Sequence, residues 1–265
     1  MAVGLKKMRQ RLLKVDLVLE VRDARIPVTS KNDLLTDTLG ASKECIIIFN
    51  KADLADPGCN TQLRNEGVVL EKRSGNYELL RRIKSHFKTM DDGGRTMIVG
   101  IPNVGKSTII NRLRAVGCEM GGGKAVKVGN LPGVTRLVSG IVRVLDKPKV
   151  YLYDTPGVLW PKIESRESAL RLALTGAIPS TQFSEYDLAD YLLRTLIERN
   201  MLNNLKEFYG GVSQDLSEFL ELACRRLGFL QRGGELNTLL AAQDFLSRYR
   251  EGKFGRMTLD SLLNI

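Results

Sequence analysis

Gly100 to Thr108 reads Gly-Ile-Pro-Asn-Val-Gly-Lys-Ser-Thr. Glycines, a lysine and paired hydroxyl residues at this spacing can cradle a chain of phosphates. Gly100 and Gly105 let the backbone bend so that successive N–H groups point at phosphate oxygens. Lys106 is placed to reach the β- and γ-phosphates, and the Ser107 hydroxyl to bind Mg²⁺. The N-terminus of a following helix adds its partial positive charge. An ordinary glycine-rich turn is the alternative, and the flanks argue against it. The apolar run Met97-Ile98-Val99 precedes the loop, and Ile109-Ile110-Asn111-Arg112-Leu113 continues from it. Strand, loop and helix therefore follow in the order this chemistry needs.

A second group is Asn50-Lys51-Ala52-Asp53, delivered by the apolar run Cys45-Ile-Ile-Ile-Phe49. Such a run reads as a parallel strand covered on both faces, and ligands bind at the C-terminal ends of such strands. The Asp53 carboxylate can accept hydrogen bonds from the N1–H and 2-amino groups of guanine. Adenine lacks both donors and would leave a charge unpaired, a mismatch worth on the order of 10⁴ or more in discrimination. Asn50 and Lys51 are expected to support the base and brace the phosphate loop. An ATP-using enzyme with the same phosphate loop is disfavoured by Asp53.

Further pieces take meaning from these two. Asp154-Thr-Pro-Gly157 ends the strand Val150–Tyr153. Asp154 would hold Mg²⁺, usually through water, and the Gly157 N–H would sense a γ-phosphate. Gly117 to Thr135, rich in glycine, reads as a mobile switch loop, with a disordered insertion as the alternative. Thr135 at its end could coordinate Mg²⁺. Gly67–Leu70 looks like a strand, Glu71–Asn76 a loop and Tyr77–Phe87 a helix. Guanine-binding proteins often supply backbone N–H to the base from a Ser-Ala-type loop here, and Lys72-Arg73-Ser74-Gly75 is a loose counterpart.

The supporting elements follow from periodicity and composition. Leu17–Val21 is a further apolar strand, closed by Asp23-Ala-Arg-Ile-Pro27 and followed by a helical stretch to about Leu39. Leu137–Leu145 is a strand that turns at Asp146-Lys-Pro148. From Ile163 the pattern is helical. Ser184 and Asp187 resemble a capping box ahead of Leu188, Tyr191, Leu192, Thr195 and Leu196. Leu216, Phe219, Leu220, Ala223 and Leu227 form a second apolar face, and Leu239, Ala242, Leu246 and Tyr249 a third. The expected architecture is α/β, a P-loop parallel sheet over 1–160, with a small all-helical domain over 161–265.

Charge is uneven. The chain carries a net +10, but residues 1–160 hold 27 Lys and Arg against 16 Asp and Glu. One nucleotide does not need so much positive charge, so a polyanion such as RNA is the expected partner, with a solvated basic surface as the alternative. Residues 3–14 form a basic amphipathic helix with Lys6, Lys7, Arg9, Arg11 and Lys14. It runs directly into the first strand, which argues against a transit peptide as its main role. Cys45, Cys59, Cys118 and Cys224 lack zinc spacing and read as reduced thiols. His86 is the only histidine, and no run of about 18 apolar residues occurs.

The base-reading motif precedes the phosphate loop, the reverse of ordinary guanine-nucleotide switches. A circular permutation keeps the contacts while moving the termini. In this order, with Gly4-Leu-Lys-Lys-Met8, Asp23-Ala-Arg-Ile-Pro27, Pro132-Gly-Val-Thr135, Asp154-Thr-Pro-Gly-Val-Leu159 and Leu172-Ala-Leu-Thr-Gly176, the chain resembles the circularly permuted YlqF-type GTPases over nearly its whole length, and their mitochondrial branch most of all. The resemblance implies GTP hydrolysis with Mg²⁺, and a role in maturing the large ribosomal subunit with its rRNA as partner. It implies a helical C-terminal domain that docks on RNA and a monomer in the mitochondrial matrix, with the matrix face of the inner membrane as a peripheral site and the bacterial cytoplasm as the alternative. Carried onto this chain, GTP is held by Asn50, Lys51, Ala52, Asp53, Lys72, Arg73, Ser74, Asn103, Val104, Gly105, Lys106, Ser107, Thr108 and Gly157. Lys106, Thr135 and Asn103 act in hydrolysis. Ser107, Thr135 and Asp154 bind Mg²⁺, and Asn103 helps hold K⁺.

Two departures bear on rate. Val158 follows Gly157, where many switch GTPases place the glutamine that orients water, so slow intrinsic turnover is expected. Relatives also carry a Trp/Phe-Pro-Gly-His stretch just before the segment matching Met1-Ala-Val-Gly4. A truncated sequence or impaired hydrolysis would account for its absence. The alternative function is a GTP-dependent ribosome-binding switch with little or no hydrolysis.

Overall fold

The computed structural model describes Leu12 and residues 14–32, 43–71, 73–90, 93–120, 141–154, 163–179 and 182–262. The basic segment 3–14 (apart from Leu12 and Lys14), the end of the stretch running to Leu39, most of the switch segment with Thr135, Lys72, and Gly157 with Val158 lie outside the described residues. Two compact units are present: Met1–Lys162 with Asp260–Ile265, and Ile163–Leu259.

The first unit is built on six strands: β1 (Leu17–Asp23), β2 (Glu44–Asn50), β3 (Val68–Val69), β4 (Gly94–Val99), β5 (Ile141–Leu145) and β6 (Val150–Asp154). Their spatial order is β3-β2-β1-β4-β6-β5. β1 is fully buried along its length and lies between β2 and β4. All pairings are parallel except β5 with β6, so the expected parallel sheet is mixed at one edge. The short turn at 146–149 forces this, because a parallel return needs a crossover of a dozen or more residues. Helices α1 (Asn60–Glu66), α2 (Arg73–His86) and α3 (Lys106–Met120) belong to the same unit.

Two helices are longer than the sequence suggested, for one reason. Ser74-Gly75-Asn76 reads as a loop, yet α2 already begins at Arg73. A Cβ on Gly75 would lie 2.6 Å from the Val69 carbonyl oxygen and 3.2 Å from Leu70 Cα, so this glycine lets the helix pack on the strand. Gly117 does the same for α3. A Cβ there would lie 1.9 Å from the Val144 carbonyl, and the helix runs on to Met120 through the expected start of the switch loop.

The second unit contains α4 (Arg166–Leu174), α5 (Glu185–Glu198), α6 (Asn203–Tyr209), α7 (Leu216–Leu227) and α8 (Thr238–Arg250). Ser184 and Asp187 form the capping box that starts α5. Asp215 and Asn237 cap α7 and α8 with their side chains. The apolar faces converge on an aromatic cluster. The rings of Tyr209 and Phe219 lie 5.1 Å apart, Phe219 and Phe245 4.9 Å, and Phe245 and Phe254 5.3 Å. Leu239, assigned to the α8 face from its spacing, is 42% exposed, and the buried face is made by Ala241, Ala242, Phe245, Leu246 and Tyr249.

Candidate functional site

Parallel pairing brings the C-terminal ends of β1, β2, β4 and β6 to one sheet edge. Asp23 at the end of β1 lies beside Asn50 at the end of β2. Asp154 at the end of β6 lies beside Ile98, two residues before Gly100. Motifs about fifty residues apart in the chain thus share one edge, next to the point where the strand order reverses between β1 and β4.

The base motif and the phosphate loop touch. Asn50 Nδ2 donates a buried hydrogen bond of 2.7 Å to the Val104 carbonyl. Gly105 follows with φ +95°, and a Cβ there would lie 2.3 Å from Asn50 Nδ2. The side chain of Val104 is fully buried and seats the loop on the core. Lys106 opens α3 and donates through its ammonium to the carbonyls of Gly100 at 2.9 Å and Ile101 at 2.7 Å. Ser107 and Thr108 stand exposed in the first helical turn, beside N–H groups that lack intrahelical acceptors. Asn103 is exposed at φ +57°. The exposed Ser107 hydroxyl is an oxygen donor of the kind Mg²⁺ accepts.

Lys51 behaves differently from the expectation that it braces the phosphate loop. Its ammonium lies 3.0 Å from Asp23 Oδ2. Its backbone, at φ +58°, forms a turn in which the Leu54 N–H donates to the Lys51 carbonyl at 2.9 Å. Ala52 is fully buried beneath that turn, and Asp53 is exposed, open to an incoming base. Ser74 is exposed in the first turn of α2, so a helix N-terminus stands where a loop was expected.

Asp23 has no role that its sequence motif alone reveals. It is 1% exposed, and Arg25 grips it with Nε–Oδ1 at 3.0 Å and Nη2–Oδ2 at 2.8 Å. Burial pushes the Asp23 carboxyl up, but the Arg25 charge and its hydrogen bonds, with Lys51, outweigh burial and hold it below its ordinary value. Its backbone N–H donates to Ser30 Oγ at 3.0 Å. One strand turn earlier, Arg22 makes a buried fork to Glu20 at 3.0 and 2.8 Å, and Glu20 also accepts from the Asn32 N–H at 3.0 Å. Charged residues two apart in an otherwise apolar strand were the available signal.

Residues 95–209 match a protein family described as 50S ribosome-binding GTPase. The chain is 36% identical to the mitochondrial ribosome-associated GTPase 1 of Mus musculus, over 98% of this chain and 88% of that one. It is 34% identical to the ribosome biogenesis GTPase A of Bacillus pumilus, over 98% and 95%. A crystal structure of GNP-bound YlqF from T. maritima matches with a TM-score of 0.60 and 27% identity, covering 98% of each chain. This chain belongs to the YlqF-type GTPases. As a GTPase of that family it carries the base motif ahead of the phosphate loop, and the Asn50–Val104 hydrogen bond joins the two ends of the permuted order.

Proposed function

We propose that this GTPase assists assembly of the large ribosomal subunit, in mitochondria, and docks on the RNA of that particle. The observation that carries the nucleotide reading is the Asn50 strut to Val104, which fixes the base motif at a set distance from the phosphate loop. Asp53 reads guanine, and Lys72, Arg73 and Ser74 supply further polar groups to the base. Gly105, Lys106, Ser107 and Thr108 hold the phosphates with Asn103 and Val104, and Gly157 reports the γ-phosphate. Ser107, Thr135 and Asp154 are the residues to hold Mg²⁺, which would supply charge to the phosphates. Asn103 is the residue to hold K⁺, and Lys106 and Thr135 stabilise developing charge.

RNA docking is supported by a cavity of about 630 Å³ between α2 and the β5–β6 turn. Arg81, Lys84, Lys88, Lys147 and Lys149 line it and are all exposed. None has an acidic partner among the described residues, and the one acid lining it, Asp146, pairs with Arg143 at 2.8 Å. The cavity lies by the start of β6, at the sheet edge away from the nucleotide. The helical unit, Ile163–Leu259, is proposed as a second docking element.

Multiple-turnover phosphate release in KCl and in NaCl, with and without purified large subunits, tests the proposal. Slow turnover that large subunits stimulate, and that KCl supports better than NaCl, is expected. Equal rates in the two salts would remove K⁺, and subunits without effect on rate or sedimentation would remove the ribosomal role. Val158 favours one second reading, a GTP-dependent binding switch with little turnover. Tight co-sedimentation with no phosphate release would select it.

A further inference from the structure

The chain returns from its helical unit to the first unit at Asp260. Asp260 is 6% exposed, and its carboxylate is fully engaged with the loop that follows β1. Oδ2 accepts from the Val28 N–H and the Thr29 N–H, both at 2.8 Å, and Oδ1 accepts from Thr29 Oγ1 at 2.6 Å. A carboxylate accepting these three hydrogen bonds is a strong, geometrically defined anchor.

The loop held there is the one that sets Asp23. Ser30, next after Thr29, accepts from the Asp23 N–H at 3.0 Å. Asp23 in turn holds the Lys51 ammonium at 3.0 Å, and the Ala24 N–H donates to the Asn50 carbonyl at 2.8 Å. A short, continuous set of hydrogen bonds and ion pairs therefore runs from Asp260 to the first two residues of the base motif. We propose that Asp260 is a positioning residue for guanine-nucleotide binding, acting through the Val28–Ser30 loop on Asp23, Lys51 and Asn50. Loosening this anchor changes the rate at which nucleotide leaves. The inference rests on Asn50–Asp53 reading the base.

The experiment is dissociation of a fluorescent GDP from the full chain. Asp260→Ala is expected to speed release roughly 5- to 20-fold, within the range usual for coupled sites. Asp260→Asn keeps the shape and the oxygen acceptor and should stay within about twofold of wild type. Thr29→Val removes only the Oγ1 bond and should give a smaller acceleration, which keeps the test decisive if Asp260→Ala does not fold. Asp215→Ala removes the α7 cap, destabilises the helical unit and should leave GDP release as it was. Release unchanged in folded Asp260→Ala, or in Thr29→Val should the first not fold, would overturn the proposal. So would acceleration by Asp215→Ala equal to that of the Asp260 variant, because it would point to general destabilisation. If Asp53→Asn leaves GTP affinity unchanged, the base reading itself fails. If only the Asp260 and Thr29 variants are silent, that reading stands and this inference alone falls.

Discussion

Replacing Gly105 with alanine should weaken guanine-nucleotide binding through Asn50, and the size of the loss can be worked out. At φ +95° an alanine costs about 1–3 kcal/mol in backbone strain. Its Cβ would lie 2.3 Å from Asn50 Nδ2, so the Asn50 side chain must leave. That breaks the 2.7 Å bond to the Val104 carbonyl and leaves a buried acceptor unpaired, costing about 1–3 kcal/mol more. The sum, about 2–6 kcal/mol, predicts a loss of roughly 30-fold to 10⁴-fold in affinity for GDP. Asn50→Ala alone forfeits only the hydrogen bond, about 1–3 kcal/mol. In the double variant the clash has no target and the bond is lost once. The two effects should therefore fall short of additive by about 1–3 kcal/mol, where independent sites add within about 0.5 kcal/mol. Fluorescent-GDP titration of the four proteins measures the cycle. Additive losses would refute the strut between base motif and phosphate loop.

Two other outcomes are expected. Asp23→Asn strips the charge that neutralises buried Arg25, so it should cost about 3–5 kcal/mol near pH 7 in denaturant unfolding. Because the Asp23 value is depressed in the folded state, its contribution is complete above the ordinary value of about 3.9 and is lost only as pH falls through the lower, folded one. The gap to wild type should therefore narrow only in strong acid. Burial pushes the Cys45 thiol up to about 11. At pH 8 about one molecule in a thousand would carry its thiolate, so mass spectrometry after iodoacetamide treatment should show Cys45 unmodified in the folded protein and modified once it is denatured.

The sheet was legible because its strands announce themselves. Cys45–Phe49 and Met97–Val99 are continuous apolar runs that end in chemically distinctive motifs, and the motif order implied the permuted connection. What misled was glycine. Gly75 and Gly117 have the composition of a break, but each spares a helix a collision with a strand carbonyl, that of Val69 or of Val144, and only the fold brings helix and strand that close. Asp23 was legible as a motif and not as a hub, since its work depends on Lys51 and on Arg25 folding back over it. Asp260 was not legible at all. Its partners Val28 and Thr29 lie more than two hundred residues earlier, and it sits in a stretch with no periodicity. In the helical unit spacing found the faces, but Leu239, in the first turn of α8, is exposed where its spacing put it with the buried residues.

The central claim is that a guanine-reading carboxylate and a phosphate loop form one site in permuted order. Binding of GTP and of xanthosine triphosphate to the Asp53→Asn variant tests it most directly. In xanthine an oxygen replaces the 2-amino group of guanine, so an asparagine amide can donate where Asp53 accepted. The variant is expected to lose GTP and gain xanthosine triphosphate. GTP affinity equal to that of wild type would contradict it.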